Sequence, residues 1–314
     1  MRTFTLGTRG SKLALRQTEI ALEALRSIHD DATIETRTIS TSGDTSTQSL
    51  AEIGGRGVFV IEIERALLDQ EIDIAVHSLK DLPSTETPGL TIAAVRPRDD
   101  PRDVLVSRDG VALGDLAPGA TVGTGSPRRA MEILAMRPDL VVKDIRGNVD
   151  TRIRKVEEGQ YDAVVLAAAG LARLGWLDKA SQVFETHEML PSVGQAALAI
   201  QVRTGDAEAM RLVGLLDHFE TRAAITAERA FERRLGGGCH AAIGGHATVG
   251  VGPDREHAPV TLRGLVGGEG RILRGEMEAP AADAEALGVR LAEYLIAQGA
   301  DVLLSDGPDA EAGA

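Results

Sequence analysis

Residues 121–129 read Thr121-Val122-Gly123-Thr124-Gly125-Ser126-Pro127-Arg128-Arg129. The β-branched start predicts a short strand and the glycines predict a loop. Ser126 and Pro127 predict the start of a helix, because serine is a preferred N-cap and proline suits the first helical position. Free N–H groups at a helix N-terminus favour anions, whereas cations are poorly placed there. The two arginines therefore predict an anion-binding junction, with a capped helix and a solvated basic turn as the alternative.

The same order of strand, loop and helix recurs along the first two thirds of the chain. Besides 121–123, strands are predicted at 3–6, 33–39, 72–76, 141–145 and 161–168. Amphipathic helical stretches separate most of them. This alternation is typical of parallel sheets covered on both faces, in which ligands bind beyond the carboxyl ends of the strands. We therefore predict an α/β fold for this part of the chain.

The last third has a different pattern. Helices are predicted at 219–235 and 281–298, and between them the strands 262–266 and 272–276 flank a glycine-rich hairpin turn. This pattern predicts a small α+β domain. Proline and glycine mark breaks at 96–101 and 190–194, and residues 306–314 are predicted to be a disordered tail.

The composition excludes several classes of protein. The chain has 314 residues, a formal net charge of −13, 3% aromatic residues and one cysteine. The acidic balance argues against nucleic acid and anionic membranes as partners, and the few aromatics argue against a single-strand stacking platform. One cysteine excludes an internal disulfide and a cysteine-based zinc cluster, and no metal is expected. With neither a membrane-length apolar run nor a signal-peptide pattern, a cytoplasmic protein is expected.

Positive charge is nevertheless concentrated near predicted strand ends. Residues 121–180 carry two more basic than acidic side chains, so the rest of the chain has a net charge of −15. Arginines also follow other strands, at Arg9, Arg146, Arg152 and Arg173. Any one of these could be an ordinary surface arginine. Together they indicate bidentate recognition of carboxylates or phosphates.

Two further residues have the chemistry of a catalytic site. Asp81 follows a strand in the run 77–83, where it could stabilise a developing positive charge or move a proton. It could equally form a surface pair with Lys80, and His77 could be a core histidine. Cys239 follows three glycines, so its sulfur is either an accessible nucleophile or a small buried group.

Six motifs in a fixed order resemble the porphobilinogen deaminase (hydroxymethylbilane synthase) family over about residues 3–300. They are 8–11, 77–83, 123–129, 146–152, 169–171 and 237–239. The resemblance implies a transferase that joins four porphobilinogen molecules head to tail, releases four ammonia molecules and forms the linear tetrapyrrole hydroxymethylbilane. It also implies a covalent dipyrromethane cofactor, held through a thioether at Cys239. Each pyrrole carries an acetate and a propionate, which makes the growing chain a polyanion.

The resemblance carries roles to matching positions. Asp81 is the implied catalytic aspartate, which would stabilise the methylenepyrrolenine cation left when ammonia departs. The implied cofactor-binding residues are Ser11, Lys80, Ser126, Arg128, Arg129 and Arg146. The implied substrate-binding residues are Arg9, Ser78, Arg152, Arg173 and Gln195. The implied active-site loop contains Arg56, where the family commonly has lysine, and Phe59. Ile61 and His240 also depart from the usual family pattern.

The implied fold is two α/β domains similar to solute-binding proteins around a cleft, with a third α+β domain that carries the cysteine. The predicted domains are 1–96 with 196–217, then 101–190, then 219–305, in a monomer. One rival interpretation is a non-catalytic two-domain binder of a small anionic ligand. Another is a cysteine hydrolase that uses His240 as base, which is geometrically poor because adjacent side chains on an extended segment point apart.

Overall fold

The computed structural model describes residues 2–29, 32–41, 60–236 and 242–305. The predictions for Arg56, Phe59, Cys239 and His240 lie outside these residues. The chain divides into two compact units. The first unit is Met1–Asp99 with Ala196–Arg222, and the second unit is Asp100–Gln195 with Ala223–Ala314.

The described residues form strands and helices in alternation. The strands are β1 (Thr3–Arg9), β2 (Thr33–Ile39), β3 (Ile74–Ser78), β4 (Leu90–Val95), β5 (Asp103–Ser107), β6 (Thr121–Gly123), β7 (Val141–Lys143), β8 (Ala163–Ala167), β9 (Gln182–Val183), β10 (Leu198–Arg203), β11 (Ala242–Val249), β12 (Pro259–Gly268) and β13 (Arg271–Pro280). The helices are α1 (Lys12–Ile28), α2 (Ile61–Leu68), α3 (Pro127–Met136), α4 (Val149–Glu157), α5 (Ala168–Arg173), α6 (Ala207–Gly214), α7 (Phe219–Leu235), α8 (Ala284–Ile296) and α9 (Ala300–Ser305).

The first unit is built on a five-stranded sheet in the order β2-β1-β3-β10-β4. β1 is parallel to β2 and β3, whereas β10 is antiparallel to β3 and β4. Apolar residues of α1 at helical spacing, such as Ala21 and Leu25, share a core with Leu6 and Ile74 of the sheet. Residues of α2 and β3, including Ile63 and Ala75, form a separate core. The helices α1 and α2 therefore pack against the sheet in two separate cores, as the strand–helix alternation predicts.

The second unit repeats this topology and adds a third sheet. Its first sheet has the order β7-β6-β8-β5-β9, with β6 parallel to β7 and β8 and with β5 antiparallel to β8 and β9. The last sheet, β11-β12-β13, is antiparallel. The predicted stripe of Leu287, Leu291 and Leu295 on α8 is buried in its core. The predicted fold class, α/β with a small α+β portion, is confirmed.

Several details differ from the sequence prediction. β1 continues to Arg9, and β7 ends at Lys143 rather than at 145. The sequence pattern does not predict the strands β4, β5, β9, β10 and β11. The predicted hairpin is confirmed: Glu269 and Gly270 have φ values of 48° and 72°, which suits a two-residue turn between twisted strands. Among the described helices, none is long and apolar enough to cross a bilayer.

Candidate active site

Asp81 lies in a pocket of the first unit that also contains other predicted site residues. Because β1 and β3 are parallel neighbours, their carboxyl ends meet at one edge of the sheet. Arg9 ends β1, Ser78 ends β3, and Asp81 lies in the single 3₁₀ turn that follows. All three line one pocket, together with Gln17 and His77. The structure therefore brings together the aspartate and a hydroxyl of the motif 77–83 with the arginine of the motif 8–11.

The carboxylate of Asp81 is available to a ligand. Within the part of the chain that the structure describes, no hydrogen bond or ion pair involves it, so the alternative of a surface pair with Lys80 is not observed. Ser78, by contrast, is held in place, because its hydroxyl accepts a hydrogen bond of 2.9 Å from buried Gln17 on α1. A partly buried carboxylate in a polar pocket can accept N–H groups and stabilise a nearby positive charge.

Ser11 begins the helix that supplies Gln17. Its side chain accepts a hydrogen bond from the backbone N–H of Ala14 at 3.3 Å, which is an N-cap contact. Ser11 therefore orients α1 at the edge where Arg9 ends β1. The predicted role of Ser11 in binding a cofactor stays a prediction.

In the second unit, the junction at 121–129 has the predicted local structure. β6 ends at Gly123, Ser126 is the N-cap of α3, and Pro127 is its first residue. The hydroxyl of Ser126 accepts a hydrogen bond from the backbone N–H of Arg129 at 3.4 Å. The start of the helix is confirmed, and its N-terminus lies beyond the carboxyl end of β6.

The two arginines of this junction point into the protein rather than to solvent. Arg128 is 2% exposed and donates to Asp103 at 2.7 Å, to Glu132 at 2.9 Å and to the carbonyl of Leu190. Arg129 donates to the other oxygen of Asp103 at 2.6 Å and to the carbonyl of Val165 at 3.0 Å. The sequence predicts direct binding of ligand carboxylates by both, whereas the structure commits most of their donors to protein acceptors.

Gln195 and Glu132 complete this buried network. Gln195 is fully buried and donates to Pro101 O at 2.7 Å and to Asp103 at 2.8 Å. The predicted role of Gln195 in substrate binding stays a prediction. Glu132 accepts from the backbone N–H of Leu190 and from Arg274 of β13, each at 2.9 Å. The network thus joins α3 to the last sheet.

Burial and charge act in opposite directions on the acids of this network. Burial alone would raise the pKa of Asp103, but the charges of Arg129 and Arg128 outweigh it and hold that pKa well below its usual range. Burial raises the pKa of Glu132, and Arg128 only partly offsets it. Asp103 is therefore a firmly ionised counter-ion that fixes both arginines.

The remaining predicted cations of the second unit lie on its other strand–helix connections. Arg146 follows β7 and is partly exposed, with its Nε 3.0 Å from Asp144. Arg152 is the fourth residue of α4, and its Nε donates to the carbonyl of Gly147 at 2.8 Å. Gly147 has a φ of 111°, and a Cβ there would lie 2.6 Å from Thr151, so only glycine suits this turn. Arg173 ends α5, which directly follows β8.

Sequence reasoning missed Asp103 and assigned no role to Glu132. Asp103 opens a five-residue strand that is otherwise apolar or small and fully buried, and an acid at such a position needs a buried partner. Glu132 lies four residues after Arg128, the helical spacing for an ion pair. Both signals are present in the sequence, but the partner of Asp103 is not indicated until the fold is known.

The donors of the two units suit a group rich in carboxylates. The first unit has Arg9, Ser78 and Lys80 near one sheet edge, and the second has a helix N-terminus with Arg146 and Arg152 nearby. The Nε of Arg129 is buried and makes no hydrogen bond among the described residues, which leaves one guanidinium donor unused. Within each unit, taken by itself, the donors suit the carboxylates of a dipyrromethane. Across the described ranges, no three His, Cys, Asp or Glu side chains are grouped to hold a metal ion.

Comparison with known proteins shows which family the chain resembles. Residues 4–211 match the family model described as "Porphobilinogen deaminase, dipyromethane cofactor binding domain", and residues 222–297 match "Porphobilinogen deaminase, C-terminal domain". The porphobilinogen deaminase of Roseiflexus castenholzii is 47% identical over 305 residues, which cover 96% of this chain and 99% of that protein. The enzyme of that name from Brevibacillus brevis is 46% identical over 307 residues, covering 98% of each.

Among solved structures the likeness is lower. The VFT2 domain of Bordetella pertussis BvgS has a TM-score of 0.42 and 18% identity, over 68% of this chain and 85% of that chain. The family models, in contrast, span almost the whole chain and include the pocket of Asp81 and the network of Asp103. On this agreement of sequence, site and family models, the chain belongs to the porphobilinogen deaminase family.

Proposed function

We propose that this protein is a transferase that joins four porphobilinogen molecules head to tail, releases four ammonia molecules and forms hydroxymethylbilane. The observation that carries the proposal is the pocket at the end of β3, where the carboxylate of Asp81, which has no partner among the described residues, shares a cavity with Arg9 and Ser78. Membership of the family supports the same reaction.

Asp81 is the catalytic residue of the proposal. Its carboxylate oxygens accept hydrogen bonds from pyrrole N–H groups and stabilise the positive charge that develops on the substrate as ammonia leaves. Asp81 also assists proton removal after the new carbon–carbon bond has formed. Support comes from its location in a polar pocket beside an arginine that can bind a substrate carboxylate.

The acetate and propionate groups are bound by cations and hydroxyls of each unit. In the first unit these are Arg9, Ser11, Ser78 and Lys80. In the second unit they are Ser126, Arg129, Arg146, Arg152 and Arg173. Arg128 and Gln195 do not contact the ligand in this proposal. They position Arg129 and the start of α3 through Asp103, and their hydrogen bonds to Asp103 support this role.

Cys239 holds the dipyrromethane through a thioether in this proposal. When bound, the dipyrromethane supplies the pyrrole terminus to which the first substrate is joined. The network at Arg128 supports this assignment, because it links α3 to the sheet that follows the cysteine in sequence. A close approach at Gly244, where a Cβ would lie 3.0 Å from Cδ of Arg128, supports the same link.

The proposed domains, oligomeric state and location of the enzyme are those that the sequence predicts. The domains are residues 1–96 with 196–217, residues 101–190 and residues 219–305. The protein acts as a monomer in the cytoplasm, with porphobilinogen as its small-molecule partner.

Incubation of the purified protein with porphobilinogen tests the proposal. We expect one ammonia released for each porphobilinogen consumed, together with a linear tetrapyrrole detected by mass spectrometry. Binding of porphobilinogen without consumption would instead favour the non-catalytic anion binder, and a protein that neither binds nor consumes it would contradict the proposal.

A further inference from the structure

One polar cluster of the first unit has no role in the account above. It consists of His77, Gln201, Glu64 and Thr87. His77 lines the pocket of Asp81, and Gln201 and Glu64 lie with it on the side of the sheet covered by α2. We refer to it as the His77 chain.

The sheet register explains how the His77 chain forms. Ala199 of β10 pairs with His77 of β3, and Gln201 pairs with Ala75, so the side chains of His77 and Gln201 share one face of the sheet. Glu64 approaches this face from α2. Gln201 Nε2 donates to Glu64 Oε1 at 2.8 Å, and Thr87 Oγ1 donates to Glu64 Oε2 at 2.7 Å. His77, Gln201 and Glu64 are all buried.

These contacts decide the orientation of the Gln201 amide. Since its Nε2 donates to a carboxylate, its Oε1 must be the acceptor that remains. Oε1 of Gln201 and Nε2 of His77 are both buried, and neither makes a hydrogen bond of good geometry with the described residues. The Gln201 side chain nevertheless raises the imidazole pKa, as an acceptor next to a ring N–H does. Since the two side chains share one face of the sheet and interact, we infer that the proton lies on Nε2, where it gives the buried Oε1 of Gln201 a donor.

The imidazole is neutral under working conditions. Burial and the charge of Arg9 lower the pKa of His77, the Gln201 side chain offsets them in part, and the net result is a pKa of about 4. A neutral ring with its proton on Nε2 carries a lone pair on Nδ1. His77 also lines the pocket that contains Asp81.

We propose that Nδ1 of His77 accepts a hydrogen bond from the ammonium group of the substrate, with Gln201 and Glu64 holding the ring in the Nε2–H tautomer. The inference rests on the proposed function. Asp81 is assigned to the pyrrole N–H groups, so the ammonium is the N–H donor of porphobilinogen that still needs a partner. A neutral acceptor suits this group because it orients the ammonium without removing its proton.

The chemistry of the leaving group explains why a weak base is required. When the carbon–nitrogen bond breaks, both electrons stay with nitrogen, which leaves as ammonia with the three protons it already carries. The positive charge remains on the substrate carbon, next to the pyrrole ring. A more basic residue would take a proton first and leave an amine, which is a poor leaving group.

Three variants of His77, each checked for the covalent cofactor by intact mass, separate the acceptor role from a structural one. His77→Asn keeps an acceptor near the Nδ1 position but loses the donor toward Gln201. His77→Gln keeps a donor toward Gln201 but loses the Nδ1 acceptor, and His77→Leu loses both. We expect kcat/KM to fall about 10- to 100-fold in the Gln and Leu variants, the range for a lost hydrogen bond to a charged group, and to stay within about 3-fold in Asn. Thermal stability should instead be closest to wild type in Gln.

Two further readouts complete the test. The nitrogen isotope effect on kcat/KM for ammonia release should increase in His77→Leu, because cleavage of the carbon–nitrogen bond becomes more rate-limiting. Ring ¹⁵N NMR of the wild-type holoenzyme should show a neutral imidazole protonated at Nε2, whatever reaction the protein catalyses. The proposal is overturned by an Nδ1–H tautomer, by activities that follow stability across the three variants, or by an unchanged isotope effect. If the wild type does not consume porphobilinogen, the proposed function fails, and the NMR result still decides the tautomer.

Discussion

Replacement of Asp81 by Asn is expected to reduce the turnover of porphobilinogen by about 10²–10³-fold while leaving the protein folded. The side chain keeps its size, so the pocket with Arg9 and Ser78 keeps its shape. The negative charge that stabilises the developing cation is lost. Loss of a preorganised electrostatic contact of this kind typically costs about 2.7–4 kcal/mol of transition-state stabilisation. The rate of ammonia release, measured per molecule that carries the covalent group, reports the effect.

An exposed aspartate provides the matched control. The side chain of Asp109 is 72% exposed on a turn after β5, and Asp109→Asn should have wild-type activity. Thermal unfolding of both variants should resemble that of the wild type, because no protein group in the described part of the chain is bound to the Asp81 carboxylate. Turnover of Asp81→Asn close to the wild-type value would show that this carboxylate is not the catalytic group.

Replacement of Arg128 by Met is expected to lower the free energy of unfolding by about 3–5 kcal/mol. Methionine fills similar space, but the substitution removes the cation between Asp103 and Glu132, both of which are completely buried. Arg129 and Gln195 still contact Asp103, and Arg274 still contacts Glu132, so the carboxylates keep part of their compensation. Urea denaturation measures the change.

The control for this variant is an exposed arginine of the same unit. Arg108 is 43% exposed and pairs with Asp162 at 3.0 Å, so Arg108→Met should change stability by less than about 1 kcal/mol. If Arg128→Met proved as stable as the wild type and lacked the covalent cofactor, Arg128 would serve the ligand directly, as the sequence predicts. A large loss of stability supports the positioning role assigned from the structure.

The fold was predictable where local signals agree. At 121–129 the strand, the glycine loop, the serine cap and the first-turn proline all indicate the same junction, and the structure has it. The hairpin at Glu269 and Gly270 is a comparable case. β5 was not predicted, because a short buried strand that follows a proline-rich break has no periodicity of its own. Its antiparallel pairing with β8 depends on residues 60 positions away in sequence.

The sequence predicts which residues lie at the strand ends of the candidate site, but not the direction of their side chains. Parallel strands bring Arg9 and Asp81 to one edge, and the strand–helix alternation was enough to anticipate this. The direction of an arginine side chain is not encoded locally. Arg128 points inward because Asp103 and Glu132 lie there, and the partner Asp103 belongs to β5, a strand that the sequence pattern does not predict. The contact of Gln195 with the same Asp103 was not predictable for the same reason.

The mass of the intact purified protein tests the central claim most directly. If the chain is a porphobilinogen deaminase primed on Cys239, the wild type should be heavier than its sequence by two pyrrole units. Cys239→Ser should have the mass of its sequence alone and should not turn over porphobilinogen. Wild-type protein with an unmodified Cys239 that also fails to consume porphobilinogen would contradict the account.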